Sequence, residues 1–600
     1  RQADQLYANS RRRRFRNMAS VDNDLEELMG HLGEFGKYQF WQFSLHIVGA
    51  LTAGLHMLTL LTVAAVPAHK CVVPVIKSTL IDVFNDSLVV TNITNTITES
   101  EPLDTCNYLD EFNVTKKCES WTYDTEYFKS SRGMEWNFVC SRRWMGAMAQ
   151  SAYMFGVFIG AVTLGSLADK YGRKIIFYVS AVLQLILGTM VALVNEYYTF
   201  LLVRFLYGVF GSAGSYITGF VLTMELVGAS KRTICGIMFQ FAFATGFMLV
   251  AAWGALIKDR TWLQIIYGLH SALMLGHWWL MDESPRWLWA QGRTKEAVDI
   301  VRRALKMNGN NVDLNSGKFL SRSKIQQSSE EDQTHSGIDL LKTPNLRKKT
   351  LNVCLNWFAN SIVYYGLSLN SGNLVGNPYL MLFLSGLVEL PSYIMLIFLM
   401  DRTGRRCLVS TFMLIGGLCC ICATFVPKED NTGATATAVI VLFGKACIAA
   451  SFAVIYNYTA ELFPTVVRNT ALGIGSMCAR LSGALTPLIM LLDFLDPKVP
   501  ATLFGLVALA SGFLALYLPE TVNQPMPETI EDGENFGKHD TCFTTCLGDR
   551  KHDYETSLHF RKVTSTVLKL RTERDNGARR ALKRFYDLNR ARCNSRMIPL

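Results

Sequence analysis

Two ionised side chains of opposite sign stand in otherwise apolar stretches, and their types set the chemistry open to this chain. Arg480 lies in Met-Cys-Ala-Arg-Leu-Ser-Gly and Glu389 in Leu-Val-Glu-Leu-Pro. A charge at the centre of a membrane helix costs at least ~2.5 kcal/mol on insertion scales, so an isolated one marks a pathway or binding site by default. Guanidinium presents a rigid fork that matches a carboxylate bidentately. Arg480 therefore reads as the partner of a solute carboxylate, and Glu389 either attracts an ammonium group or holds Arg480 in place. The competing reading is a permanent Arg480–Glu389 bridge that only pins helices. Because desolvation can exceed the Coulomb gain of a buried pair, retention for a ligand explains the two charges better.

Polar and aromatic residues at comparable depth would complete a site. Glu389 precedes the motif residue Asp401 by twelve positions, and Arg480 follows Arg468 by twelve. Twelve residues of helix rise ~18 Å, which brings both charges near the middle of a ~30 Å apolar core. Tyr216 stands nine residues before Glu225, and Gln240 eight after Arg232, with Phe243 three further on. Trp357, Ser361 and Tyr364 are spaced four and three apart, which sets them on one helix face. Aromatic faces can hold an ammonium group for ~0.5 to 2 kcal/mol, although the same stripe also suits helix packing. His46 and His56 are polar at depth in the first apolar run. His56 is expected to face the path, with a hydrogen bond between helices as the alternative. Arg204 and Lys445 occupy related places in two halves and read as pathway charges or as packing on backbone carbonyls.

The elements that must position these residues are membrane helices. Half of the 600 residues are hydrophobic and 18% are charged, against roughly 25% charged in an average globular domain; the mean hydropathy is +0.20. Lipid must cover much of such a surface. No cleavable signal peptide is visible in the arginine-rich opening, so the first apolar helix is expected to serve as its own insertion signal. Twelve apolar runs, each able to cross ~30 Å at 1.5 Å per residue, are expected near 40–66, 144–167, 175–194, 198–224, 233–256, 261–281, 350–370, 378–400, 407–426, 435–459, 469–493 and 501–518. The organisation follows: a basic arm at 1–36, a six-helix half at 37–281, a central loop at 282–349, a second half at 350–518 and a tail at 519–600. The net charge of +10 gathers in Arg11 to Arg14, in 295–349 and from Arg561 onward. That distribution suits cytoplasmic segments of a plasma-membrane protein with both termini inside and offers no nucleic-acid reading motif.

The loop at 67–143 holds Cys71, Cys106, Cys118 and Cys140 together with sequons at Asn85, Asn92 and Asn113. Both features belong outside the cell, where two disulfides can form with any of three connectivities. Cys542 and Cys546 with His539 and His552 match no standard metal-site spacing, and a flexible tail is the better reading.

The segments on the other side repeat. Asp169-Lys-Tyr-Gly-Arg173 returns as Asp401-Arg-Thr-Gly-Arg405, an offset of 232 residues; Glu225 and Arg232 return as Glu461 and Arg468, offset 236; and Glu283 of Glu-Ser-Pro-Arg286 returns in Pro519-Glu-Thr521, offset 237. Three matches at nearly one offset imply two parallel six-helix repeats, the major facilitator plan. Alternating access in such a plan needs a cytoplasmic closure. Asp169, Arg173, Glu225, Arg232, Glu283, Arg286, Asp401, Arg405, Glu461 and Arg468 are the candidates, since charges at helix ends can make and break it. Marking tight turns and setting topology is the alternative role.

These motifs, the large first loop and Glu283-Ser-Pro-Arg-Trp-Leu288 resemble the organic ion transporter family of organic cation, carnitine or zwitterion, and organic anion carriers. Glu225-Leu-Val-Gly228, Tyr365-Gly-Leu-Ser-Leu369, Val388-Glu-Leu-Pro391 and Tyr458-Thr-Ala-Glu-Leu-Phe-Pro-Thr-Val-Val-Arg-Asn469 carry the resemblance, which runs from about 30 to about 530 and is nearest the carnitine-type branch. The resemblance implies uniport or exchange of a small organic ion, in some members coupled to sodium, and no cofactor. It implies further that cation carriers hold an acidic residue at the position of Arg480, whereas anion and carnitine-type carriers hold arginine. Basic and acidic charges together then favour a zwitterion, an organic anion second and a cation third.

Other classes fit poorly. The Gly317-Lys318 pair has Val312 where a phosphate loop needs glycine, and no nucleophile with a base or metal cluster suggests an enzyme. A channel or receptor is the remaining alternative of a different class.

Overall fold

A computed structural model describes residues 25–72, 83–84, 87–88, 105–109, 114–310 and 338–540, apart from 375, 428–429, 523, 525, 528 and 539. The basic arm through Asp24, the three sequon asparagines, residues 311–337 of the central loop and the tail cysteines lie outside the described residues.

Nine helices among the described residues are long and apolar enough to cross a membrane, and they fall at expected positions. They are α1 (Lys37–Val63), α2 (Cys140–Tyr171), α3 (Arg173–Leu193), α4 (Tyr197–Leu226), α5 (Arg232–Leu256), α8 (Pro378–Thr403), α9 (Arg405–Phe425), α10 (Asn431–Leu462) and α11 (Arg468–Phe494). Helices also stand at the three other expected positions. The sixth, α6 (Arg260–Leu269), passes into 3-10 turns at His270–Met274 and ends in a short helix at His277–Leu280. The seventh, α7 (Pro344–Asn370), has 27 residues but carries buried Asn356 and Asn360 and a charged first turn. The twelfth, α12 (Val499–Ala515), has 17 residues.

Local chemistry explains where these helices break. In α8 the helix stops at Leu387 and restarts at Glu389, because Pro391 has no N–H to offer the carbonyl one turn back. The restart puts Glu389 in the first turn of a helix, where the N-terminal dipole favours a carboxylate. Glycines let neighbours close up: the position a side chain would take on Gly156 is filled by the backbone of Phe205, and on Gly208 by that of Tyr153, so α2 and α4 pack backbone to backbone.

The cysteine-bearing loop is pinned by two disulfides, Cys71–Cys118 and Cys106–Cys140. Antiparallel pairing of His69–Cys71 with Trp121–Tyr123 sets Cys71 beside the strand that follows Cys118, and Asn107–Leu109 pairs with Thr115–Lys117. Arg132 anchors the loop to the bundle: it pairs Glu135 at 2.7 Å, donates to Ala192 O at 3.1 Å and lies 4.7 Å from the Trp136 ring.

The end of the bundle that carries this loop is closed across the halves. Arg143 pairs Asp493 at 2.5 Å, the Tyr379 hydroxyl donates to Tyr127 O at 3.0 Å, and the Phe128 and Tyr379 rings lie 5.2 Å apart.

The opposite end, where the repeated motifs stand, is built twice on one plan. Arg173 pairs Asp169 at 2.9 Å and Glu225 at 3.2 Å; Arg405 pairs Asp401 at 3.1 Å and Glu461 at 3.0 Å. Glu283 accepts from the backbone N–H of Arg173 and Lys174, and Glu520 does the same for Arg405 and Arg406. Burial pushes the Glu283 carboxyl above its usual range. Arg286 donates to Glu225 O and to Glu26, and that bond holds the Glu26 carboxyl below its usual range. Each of these pairs joins residues of one half. The closure expected between halves is therefore not what they make here: each cluster ties together the helix ends of its own half.

Gly172 and Gly404 make both carboxylate caps fit. Their φ angles are +111° and +91°, a region that side chains other than hydrogen rarely adopt. A Cβ would stand 2.6 Å from Glu283 Oε2 in one case and 2.5 Å from Glu520 Oε2 in the other. Gly172→Ala and Gly404→Ala are each expected to cost about 1–3 kcal/mol. The check is the melting temperature of detergent-solubilised protein, which should fall for both and by similar amounts.

Candidate functional site

Between the halves lies one cavity lined by Ala53 and Met57 of α1, Val157 of α2, Tyr216 of α4 and Gln240 and Phe243 of α5, and on the other side by residues of α7, α8, α10 and α11. From α7 come Ser361, Tyr364 and Tyr365; from α8, Tyr393; from α10, Phe452 and Tyr456; from α11, Ala479 and Arg480. The space between the lining atoms, counted to include its open mouth, is ≈ 630 Å³. Seven of the fourteen lining residues are aromatic, so a solute here meets ring faces on most sides.

The halves meet above and below this chamber. Toward the loop end the Tyr365 hydroxyl reaches Met57 Sδ at 3.2 Å. Toward the motif end the Phe220 and Tyr456 rings lie 6.3 Å apart. Each of those two residues precedes its repeat glutamate, Glu225 or Glu461, by five positions, so the floor is a contact between repeat partners.

Arg480 is the exposed charge of the cavity. Its Nη1 donates to Ser476 O at 3.1 Å and to Ser476 Oγ, both on its own helix, and among the described residues no carboxylate pairs with it. The guanidinium interacts electrostatically with Tyr216, Tyr365 and Tyr456.

Glu389 has a different partner from the one the sequence suggested. It is fully buried and lies 3.3 Å from Lys445 Nζ, itself 1% exposed. Its Oε2 accepts from the hydroxyls of Tyr364 at 3.1 Å and Tyr393 at 2.8 Å. Lys445 also donates to Tyr364 O at 3.3 Å and to Ser368 Oγ, and its ammonium sits 3.5 Å from the centre of the Tyr364 ring. The Arg480–Glu389 bridge is thus absent in this state, and Lys445 is no spare pathway charge. Glu389 stands one hydroxyl layer behind the cavity wall, with Tyr364 and Tyr393 between.

Of the other residues singled out, Tyr216, Gln240, Phe243, Ser361 and Tyr364 face the cavity; Gln240 Nε2 donates to the Tyr216 hydroxyl at 3.4 Å and Ser361 Oγ to Ala479 O at 2.5 Å. Trp357 and His56 do not. Trp357 is fully buried, donates to Thr459 Oγ1 at 3.0 Å and packs 4.4 Å from the Tyr456 ring, so it supports the wall from behind. His56 turns into its own half, where it bonds Ser271 Oγ at 3.0 Å and the Tyr207 hydroxyl; the neighbouring Met57 faces the chamber instead. His46 bonds Thr223 Oγ1 at 3.0 Å. Arg204 donates to Thr59 Oγ1 at 3.3 Å and Gln150 Oε1 at 3.1 Å, with the Tyr153 ring 4.9 Å away.

Tyr365, Tyr393, Phe452 and Tyr456 also line the cavity, although they are not among the residues that spacing and type single out. Repeat arithmetic holds the signal for two of them: Tyr216 lies nine residues before Glu225, and the ninth residue before Glu461 is Phe452, with Tyr456 one turn further along. Tyr393 stands at i+4 from Glu389, the spacing that puts side chains together on a helix.

Comparison with known proteins agrees with this architecture. The sugar (and other) transporter family model matches residues 102–532. An organic cation transporter protein of Drosophila melanogaster is 38% identical over 527 residues, covering 86% of this chain and 95% of its own. The human organic cation/carnitine transporter 2 is 30% identical over 536 residues, covering 85% and 93%. Among solved structures, the partially occluded, inward-open xylose transporter XylE of E. coli superposes with a TM-score of 0.54 at 16% identity, over 81% of this chain and 99% of that one. At that identity the likeness concerns the fold alone.

Proposed function

This chain belongs to the organic cation, carnitine and organic anion transporters of the major facilitator superfamily, within the sugar (and other) transporter family, and from that premise we propose that it carries small organic ions bearing a carboxylate, best of all zwitterions of carnitine or amino-acid type. The observation that carries the reading is a charge balance. Glu389 and Lys445 neutralise one another behind the wall, so the cavity presents a net single positive charge on Arg480, without a protein carboxylate to meet it among the described residues. A solute carboxylate supplies the missing partner through two parallel N–H bonds, and a bound charge of the right sign removes the penalty of holding Arg480 unpaired.

The aromatic lining favours a zwitterion over a plain anion. Tyr216, Phe243, Tyr364, Tyr365, Phe452 and Tyr456 present ring faces within the same chamber, and such faces hold a quaternary or primary ammonium for ~0.5 to 2 kcal/mol each site. The anchored carboxylate fixes one end of the solute and the rings receive the other. An organic anion with an apolar body is the second reading, supported by the same Arg480. In this scheme the disulfide-bearing loop faces outside, the repeated motifs face the cytoplasm, and rocking of the halves about the chamber exchanges its access. The present state is then shut to the outside by the Arg143–Asp493 and Tyr379–Tyr127 contacts.

The test is uptake of four labelled solutes, carnitine, β-alanine, a dicarboxylate and a quaternary amine, into cells expressing the full chain. Saturable uptake of a carboxylate-bearing solute, accelerated by the same solute on the far side, is the expected result. Saturable uptake of the quaternary amine alone would overturn the reading, and current far above carrier turnover would mark a channel instead.

A further inference from the structure

Lys445 is 1% exposed, and among the described residues its ammonium meets the machinery around Glu389: the carboxylate, Ser368, and the carbonyl and ring of Tyr364. The Phe247 ring completes its surroundings at 5.6 Å. An ammonium held against a carboxylate and over a tyrosine face occupies the arrangement that a cationic solute would otherwise seek. It does so from behind the wall, on a tether, and never leaves. The geometry points to Lys445 as a specificity-determining residue: a built-in cation that fills Glu389's valence and so bars solutes whose only charge is positive. This inference rests on the reading that the Arg480 chamber is the solute site, but not on which solute the chamber prefers.

With Lys445 in place, a solute entering the chamber meets Arg480 and a neutral pair, so a lone cation is repelled and finds no counter-charge. Without Lys445, Glu389 keeps two hydroxyl donors, Tyr364 and Tyr393, both of which line the cavity. Rotation of either phenol opens the carboxylate to the chamber. The site then holds one positive and one negative charge and admits a cation. Removing Glu389 instead leaves Lys445 and Arg480 together, a doubly positive site that suits a dianion.

Uptake of labelled tetraethylammonium, carnitine and succinate, normalised to surface protein, reads these changes. Lys445→Met is expected to raise tetraethylammonium uptake at least tenfold over the parent, whereas Lys445→Arg, which keeps the charge, gives no rise. Glu389→Gln added to Lys445→Met should abolish the gain. Glu389→Gln alone should raise the ratio of succinate to tetraethylammonium uptake at least tenfold, which keeps the idea testable if Lys445→Met fails to reach the surface. A Lys445→Met protein at normal surface level with unchanged cation uptake overturns the proposal, as does a Glu389→Gln protein that keeps the parental solute ranking. If the parent carries no carboxylate at all, the proposed function fails while the appearance of cation uptake in Lys445→Met is still read independently.

Discussion

Replacing Arg480 by Asp is expected to reduce uptake of carboxylate-bearing solutes by about a hundredfold or more while the protein still reaches the surface. The magnitude follows from two contributions. Losing charge-assisted hydrogen bonds to a carboxylate costs about 1.5–3 kcal/mol, and placing a second negative charge against the solute adds repulsion in a chamber where few groups screen it. Arg480 pairs no protein carboxylate among the described residues and bonds only Ser476 of its own helix. Its replacement therefore strands no buried partner, and fold damage should be small. Arg480→Lys separates charge from shape: a point charge remains but the fork is lost, so KM should rise about tenfold with the maximal rate largely kept. The measurement is concentration-dependent uptake of carnitine and of an uncharged analogue lacking both the carboxylate and the ammonium group. Equal loss for both solutes in Arg480→Asp would identify a structural arginine and end the anchoring role.

Sequence alone carried the architecture far because membrane crossing imposes length and apolarity on every helix. It singled out Arg480, which stands in the cavity wall, since one cation in an apolar run has few explanations and its distance from a motif residue fixes its depth. It could not carry the partner of Glu389. That depends on which face of α10 turns Lys445 toward α8, and helices apolar on all sides offer no periodicity to orient them. The helix runs unbroken from Glu389 to Thr403, so spacing from Asp401 gives the depth of Glu389 but not the neighbour its face meets. His56 and Trp357 failed for the same reason: both were placed at the right depth and on the wrong face. The disulfide pairing was open because four cysteines allow three connectivities, and the folded loop, not their spacing, joins Cys71 to Cys118 and Cys106 to Cys140.

The repeated charges at the motif end separate into two kinds, and the difference predicts opposite behaviour on substitution. Arg405 is satisfied: it pairs Asp401 and Glu461 and donates to Met400 O at 2.9 Å. Arg468, the first residue of α11, keeps Nε and Nη2 buried without a hydrogen-bond partner. Glu225, in the opposite half, keeps Oε2 in the same condition. Unmade bonds of buried charged groups cost about 1–3 kcal/mol or more each, and a fold retains them where another state completes them. We expect that state to be the one open to the outside, in which the motif ends meet and Arg468 reaches Glu225. Arg468→Gln should therefore leave the melting temperature of the solubilised protein unchanged or raised, yet lower turnover per surface molecule about tenfold or more, because only the closed motif end loses a bond worth about 1.5–3 kcal/mol. Arg405→Gln should do the reverse, lowering surface amount and melting temperature by stranding the largely buried Glu461 within its own half. A lowered melting temperature with normal turnover in Arg468→Gln would show that this arginine only braces a helix end, and the closure would then have to be sought in the Phe220–Tyr456 contact beneath the chamber.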